Sequence, residues 1–193
     1  TTSGSVMIGN KDVRSLKIKD LRKIIGVVLQ DTTLFSGSIA DNLRFGMEDA
    51  NEEMMDSATR DAQAFEFINS SNEGYNREVG QRGKNLSGGQ KQRISIARTL
   101  IKNPKILILD DSSSALDMET ESKLQNSLKN RMKDSTVFLI AQRISAVMDS
   151  DKIIVLDNGE IAAKGTHKEL IKNCEIYRSI AISQLGEEAV LNV

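Results

Sequence analysis

Residues 86–111 read LSGGQKQRISIARTLIKNPKILILDD, and the fold depends on how this stretch divides. Leu86-Ser87-Gly88-Gly89-Gln90 opens a helical pattern that continues through Arg98 toward Lys102. Pro104 closes it, and Lys105-Ile106-Leu107-Ile108-Leu109 then runs straight into Asp110-Asp111. A continuous apolar run, rather than an alternating one, predicts a buried strand of a parallel sheet. Such a strand delivers its terminal carboxylates to the sheet's C-terminal edge, where open α/β sheets bind ligands.

Working outward, short β-rich runs alternate with longer amphipathic or polar stretches, which is the α/β order. Val6–Ile8 and Ile24–Leu29 read as early strands, and Val137–Ala141 and Ile153–Leu156 as further buried ones. Helices are predicted near Glu52–Phe67, Gln90–Lys102, Glu119–Arg131 and Lys168–Ser183. Asn158-Gly159, before the run Glu160–Ala163, is a hairpin signal. Gly74, Gly80, Gly83, Gly88 and Gly89 mark the middle of the chain as rich in loops.

Composition narrows the classes. With 193 residues there is room for one domain or a little more. Lys plus Arg total 26 against 27 for Asp plus Glu, so no basic excess points to nucleic acid. One cysteine, Cys174, excludes an intrachain disulfide framework. No apolar run is long enough to cross a bilayer, and no secretion leader opens the sequence. The balance fits a soluble, reduced, globular chain.

Two constellations carry chemistry. A helix N-terminus presents unpaired amides and a positive dipole end, so Ser87, Gly88 and Gly89 suit a phosphate. Ser87-x-x-Gln90 is also a capping box, which needs no ligand. Of the two carboxylates, one can hold Mg²⁺ through water and the next can orient an attacking water on a phosphate. Two solvated acids at a strand end are the bland alternative.

Taken together, these residues resemble the ATP-binding-cassette (ABC) ATPases. Leu86–Gln90 is similar to that family's signature motif, Ile106–Asp111 to its Walker B strand, Ser114-Ala115-Leu116-Asp117 to its D-loop and Gln30 to its Q-loop glutamine. The resemblance covers nearly the whole chain in the family's order. It implies a P-loop NTPase-like core, about residues 1–30 and 104–193, holding a partial parallel sheet. About residues 31–103 would form a helical subdomain with the signature motif. It implies ATP and Mg²⁺ as ligands, with Ser87, Gly88, Gly89, Gln90, Gln30 and Asp117 facing nucleotide. Asp110 and Gln30 would face the metal, and Asp111 and Gln142 would stand at the catalytic positions. Gln30–Ile39 with Asp41-Asn42-Leu43, and Arg77–Gly83, resemble the exporter branch. The latter stretch is similar to the X-loop, which approaches membrane domains, although Gln81 stands where the pattern usually has Glu.

The sequence departs from the family in three places. No Gly-x-x-x-x-Gly-Lys followed by Ser or Thr occurs; Gly83-Lys84 precedes Asn85 and is a decoy. Thr1–Asp12 resembles the strand after the P-loop helix, so the chain is expected to begin past the ATP cradle. Tyr75 and Tyr177 are accordingly not assigned to adenine stacking. Asp111 replaces the usual Glu after the Walker B Asp; its shorter arm would sit roughly 1–1.5 Å back, and a misplacement near 1 Å can cost about 10²-fold in rate. Gln142, in Ala141-Gln142-Arg143, replaces the switch histidine and cannot relay a proton near neutrality. His167 lies instead in a helix-entry segment.

In this family two domains pair head to tail, each ATP lying between one Walker face and the partner's signature. An altered Walker face beside an intact signature resembles the degenerate-site subunit of a heterodimeric exporter. The expected partners are a second nucleotide-binding domain, a heterodimer being favoured, and transmembrane domains at the cytoplasmic face of the membrane; no nucleic acid is expected. A working homodimer is the simpler alternative. A non-hydrolysing regulatory module and a DNA-repair-type ATPase are the competing functions. The isolated chain is expected to be inactive, to bind MgATP weakly and to self-associate through open strand edges. Cys174 is read as a bland thiol in a polar helix, Met54-Met55 as packing, and the charges of Glu119–Arg131 as a solvated face.

Overall fold

The computed structural model describes residues 1–191, which form two compact units, Thr1–Ile140 and a second beginning at Ala141. In the first, β1 (Met7–Ile8) and β2 (Lys11–Asp12) make a small antiparallel hairpin. They are followed by α1 (Ile18–Ile24) and β3 (Ile25–Val28). Of the early strand expected at Val6–Ile8, Met7–Ile8 forms, as one arm of this hairpin. After β4 (Gly37–Ser38) come α2 (Ile39–Arg44), α3 (Glu52–Asp61) and α4 (Phe65–Asn69). Then β5 (Glu78–Val79), α5 (Gly88–Leu100), β6 (Ile106–Asp110), α6 (Met118–Arg131) and β7 (Thr136–Ile140) complete the unit.

The decisive stretch folds as read: α5, a stop at Pro104, and β6 in the centre of a parallel sheet of order β3-β6-β7. Ile25 pairs with Ile106 and Asp110 with Ile140, so β3 and β7 both run alongside β6 toward its acidic end. The helical excursion between β3 and β6 shares one hydrophobic core with the sheet. Val28, Leu107 and Leu109 pack in the same cluster as Leu34, Ile39, Leu43, Ile68, Ile94, Ile96 and Leu100.

Two expectations for this unit need correction. The helix expected over Glu52–Phe67 is broken: Gln63, at φ +57°, separates α3 from α4. Its carbonyl accepts from Arg93 and its amide donates to Ser127, so tertiary contacts hold the break. And β7 is not buried: it pairs only with β6, and Val137, Phe138 and Ile140 are 41–54% exposed. A continuous apolar run thus marks an edge strand here.

The second unit holds α7 (Ile144–Val147), the antiparallel hairpin of β8 (Ile153–Asp157) and β9 (Glu160–Gly165), α8 (His167–Asn173), α9 (Glu175–Leu185) and α10 (Glu187–Leu191). Asn158 and Gly159, at φ +48° and +83°, form the turn that the sequence signals. Only one face of β8 is buried; Ile153 and Val155 point inward while Ile154 and Leu156 are exposed. The single helix expected over Lys168–Ser183 is two, parted at Cys174, whose backbone is extended. Cys174 itself is buried with Leu170, Ile171, Tyr177 and Ala181 rather than lying on a polar face.

The charged face expected on α6 is also only partly solvated. Glu121 is buried and accepts from Ser113 Oγ, while Arg131 donates to Asp61 and to the Leu100 carbonyl. Met55 is buried and Met54 packs against the same core, as the packing role for this pair requires.

Candidate functional site

The sheet's C-terminal edge brings three sequence-predicted residues together. Gln30 follows β3 by two residues, Asp110 ends β6, and Asp111 turns away from it at φ +43°. Gln30 Nε2 donates to Asp111 Oδ2 at 3.0 Å across 81 positions of sequence. The Asp111 amide donates to the Ile140 carbonyl at 2.8 Å, carrying the β6–β7 ladder one step further. Ser114 Oγ donates to the Asp111 carbonyl at 2.9 Å. Asp111 is therefore gripped at amide, carbonyl and carboxylate.

The bond from Gln30 uses its amide nitrogen and leaves Oε1 as the end suited to a cation. Together with the half-buried Asp110 this is an all-oxygen donor pair, the chemistry that Mg²⁺ prefers. Among the described residues no cluster of three or more His, Cys, Asp or Glu could hold a metal by itself. An ion here would complete its shell with water and phosphate oxygens, as Mg²⁺ commonly does.

The second constellation is the start of α5. Ser87 caps it: Ser87 Oγ accepts from the Gln90 amide at 3.2 Å and Gln90 Oε1 accepts from the Ser87 amide at 3.0 Å. The capping box thus forms, and it is compatible with anion binding. Ser87 Oγ accepts within the box and keeps its proton to donate, while the amides of Gly88 and Gly89 are the turn's remaining donors. Glycine is required by close approach. A Cβ on Gly89 would lie 3.0 Å from the Ala115 carbonyl oxygen and 3.4 Å from Leu116.

The segment 114–117 therefore sits directly against this helix start. The Ala115 amide donates to Gln92 Oε1 at 3.2 Å. Arg93 Nε donates to the Gly89 carbonyl, its Nη1 donates to the Gln63 carbonyl at 2.7 Å, and its guanidinium lies over Phe67. Burial pushes the Arg93 pKa down, opposed by the charge of Asp117. Asp117 caps α6 through the Thr120 amide and hydroxyl, and those bonds hold its carboxyl below the ordinary value of 3.8. Its side chain is thus engaged within its own helix.

Gln142 lies in the second unit, where its carbonyl accepts from Gln184 Nε2 at 2.9 Å. Gln184 Oε1 accepts from the Ile144 amide at 2.7 Å, so one side chain ties Gln142 to the start of α7. His167 is the first residue of α8, buried, with Nδ1 2.8 Å from the Tyr177 hydroxyl. Tyr75 donates to Asp56 and contacts Thr59, and burial pushes its hydroxyl pKa up. Both tyrosine hydroxyls are spent internally. Sequence reading missed Gln92 and Arg93, two polar residues following a motif, whose only signal is their spacing one turn below Gly88 and Gly89.

Residues 1–114 match the family model described as ABC transporter. The Bacillus subtilis ATP-binding/permease protein YgaD is 49% identical over 93% of this chain and 31% of its own length. The Rhodopseudomonas palustris β-(1→2)glucan export ATP-binding/permease protein NdvA is 45% identical over 94% of this chain and 30% of its own. A bacterial Atm1-family ABC exporter solved with ATP bound superposes with a TM-score of 0.92 at 38% identity, over 96% of this chain and 33% of that one. The chain spans about a third of the length of these relatives.

Proposed function

The chain belongs to the ABC transporter family, as an ATP-binding domain with exporter relatives, and we propose that it is the degenerate-site partner of a heterodimeric exporter. In this reading it works at the cytoplasmic face of the membrane, beside transmembrane domains and a second nucleotide-binding domain. MgATP supplies phosphate charge and binding energy; Asp110 and Gln30 Oε1 would hold the ion. Ser87 and the Gly88 and Gly89 amides would complete the partner's ATP site.

The observation that carries this reading is the contrast at Asp111. A carboxylate one methylene shorter than the family's usual Glu is drawn toward Gln30, at 3.0 Å, while the start of α5 keeps its donor set. Held back in this way, Asp111 is poorly placed to orient water, whereas Ser87 is well placed to donate to phosphate. The same tether favours, as second reading, a regulatory domain that closes on ATP without useful turnover; single-turnover hydrolysis at its own site separates the two. The main reading is tested in the full-length protein with its partner. Ser87→Ala should depress ATP turnover far more than Asp111→Asn, and equal losses would remove the asymmetry.

A further inference from the structure

We propose that Gln92 is a positioning residue that locks the 114–117 turn onto the start of α5, so that both meet the bound nucleotide as one preformed surface. This rests on the ATPase reading above for its functional consequence, though not for its geometry. Gln92 is 4% exposed, one turn below the residues that face phosphate, and its Oε1 accepts the Ala115 amide. That places one part-buried hydrogen bond behind the contact that the two glycines make with Ala115 and Leu116. Gly88 and Gly89 lie flat against Ala115, close enough that a Cβ on Gly89 would stand 3.0 Å from its carbonyl. Leu116 is buried at the same spot, and Asp117 then caps the next helix. Remove the acceptor and the Ala115 amide loses its only side-chain partner among the described residues, with the Gln92 side of the bond buried and the Ala115 side open to water. The turn would then move relative to Gly88 and Gly89 while α5 and its capping box stay formed.

The test compares Gln92→Met, which keeps volume but removes the acceptor, with Gln92→Glu, which keeps an acceptor, both in the full-length protein. Hydrogen exchange by mass spectrometry over residues 112–118 reads the lock without ATP, and steady-state turnover reads its consequence. Gln92→Met should speed exchange at Ala115 about tenfold, leave α5 protection unchanged, and lower kcat about tenfold with KM for ATP within about twofold. Gln92→Glu should restore both. Exchange at Ala115 equal to the unsubstituted protein overturns the lock, and faster exchange with unchanged kcat overturns its role in the site. Loss of α5 protection or of the melting temperature in both variants would assign Gln92 a merely structural part and equally overturn it. No turnover in the unsubstituted protein would sink the ATPase reading alone, leaving the exchange result to decide the lock.

Discussion

The start of α5 and the acidic end of β6 stand one helix and one proline apart in sequence, yet they are built in opposite ways. At α5 the contacts interlock: a reciprocal capping box, two glycines against Ala115, and Gln92 and Arg93 behind them. At β6 the contact is made across strands, Gln30 to the Asp111 carboxylate, on a backbone held by the Ile140 carbonyl and the Ser114 hydroxyl. On the reading proposed above, a surface that is rigid before a partner arrives avoids the free-energy cost of ordering it on binding. The difference teaches where substitutions will be felt as lost packing and where as lost chemistry.

The comparison breaks most readily at Gly89. Gly89→Val drives side-chain atoms into the Ala115 carbonyl, and turnover in the full-length protein should fall at least about 10²-fold. Circular dichroism should show the fold retained, at a cost of about 1–3 kcal/mol in denaturant titration. Ser87→Ala should weaken both function and fold, since the lost cap costs about 1 kcal/mol, whereas Asp111→Asn should leave stability nearly unchanged. Breaking the Arg131–Asp61 pair by Arg131→Met tests the frame instead of the site. It leaves Asp61 half-buried without its cation and the Leu100 carbonyl with the Asn103 amide but not the guanidinium, and about 2 kcal/mol should be lost with kcat preserved.

The smallest effect is in acid. The bonds from Thr120 hold the Asp117 carboxyl below its ordinary value, so its contribution is fully present above pH 3.8 and fades as pH falls through the lower folded value. Asp117→Asn should flatten that part of the melting profile and lower the melting temperature slightly at neutrality, where the carboxylate's contribution is fully present.

The sheet centre and α5 were legible because their signals are local. An apolar run bounded by Pro104 and Asp110 leaves β6 little choice, and Ser87 with Gln90 announces a helix start whatever lies around it. Exposure on β7 was not legible, because the same apolar run serves an edge strand and a central one, and only the pairing decides. The breaks at Gln63 and Cys174 carry no glycine or proline; distant contacts from Arg93 and Ser127 hold the first, and burial in the second core accompanies the other. At the site, spacing named Gln30, Asp110 and Asp111, but that Gln30 would reach Asp111 depends on β3 lying beside β6. Gln92 was hidden for the same reason, since its partner lies 23 positions away.

The left-handed backbone at Asp111 sets a bargain between durability and speed. At φ +43° a short acid that can fold back on its own main chain is tolerated better than a longer one. Restoring Glu at this position should therefore raise the rate at this domain's own site by up to about 10²-fold while lowering resistance to denaturant by a few tenths of a kcal/mol. Measured on one preparation of Asp111→Glu, the two quantities should move in opposite directions.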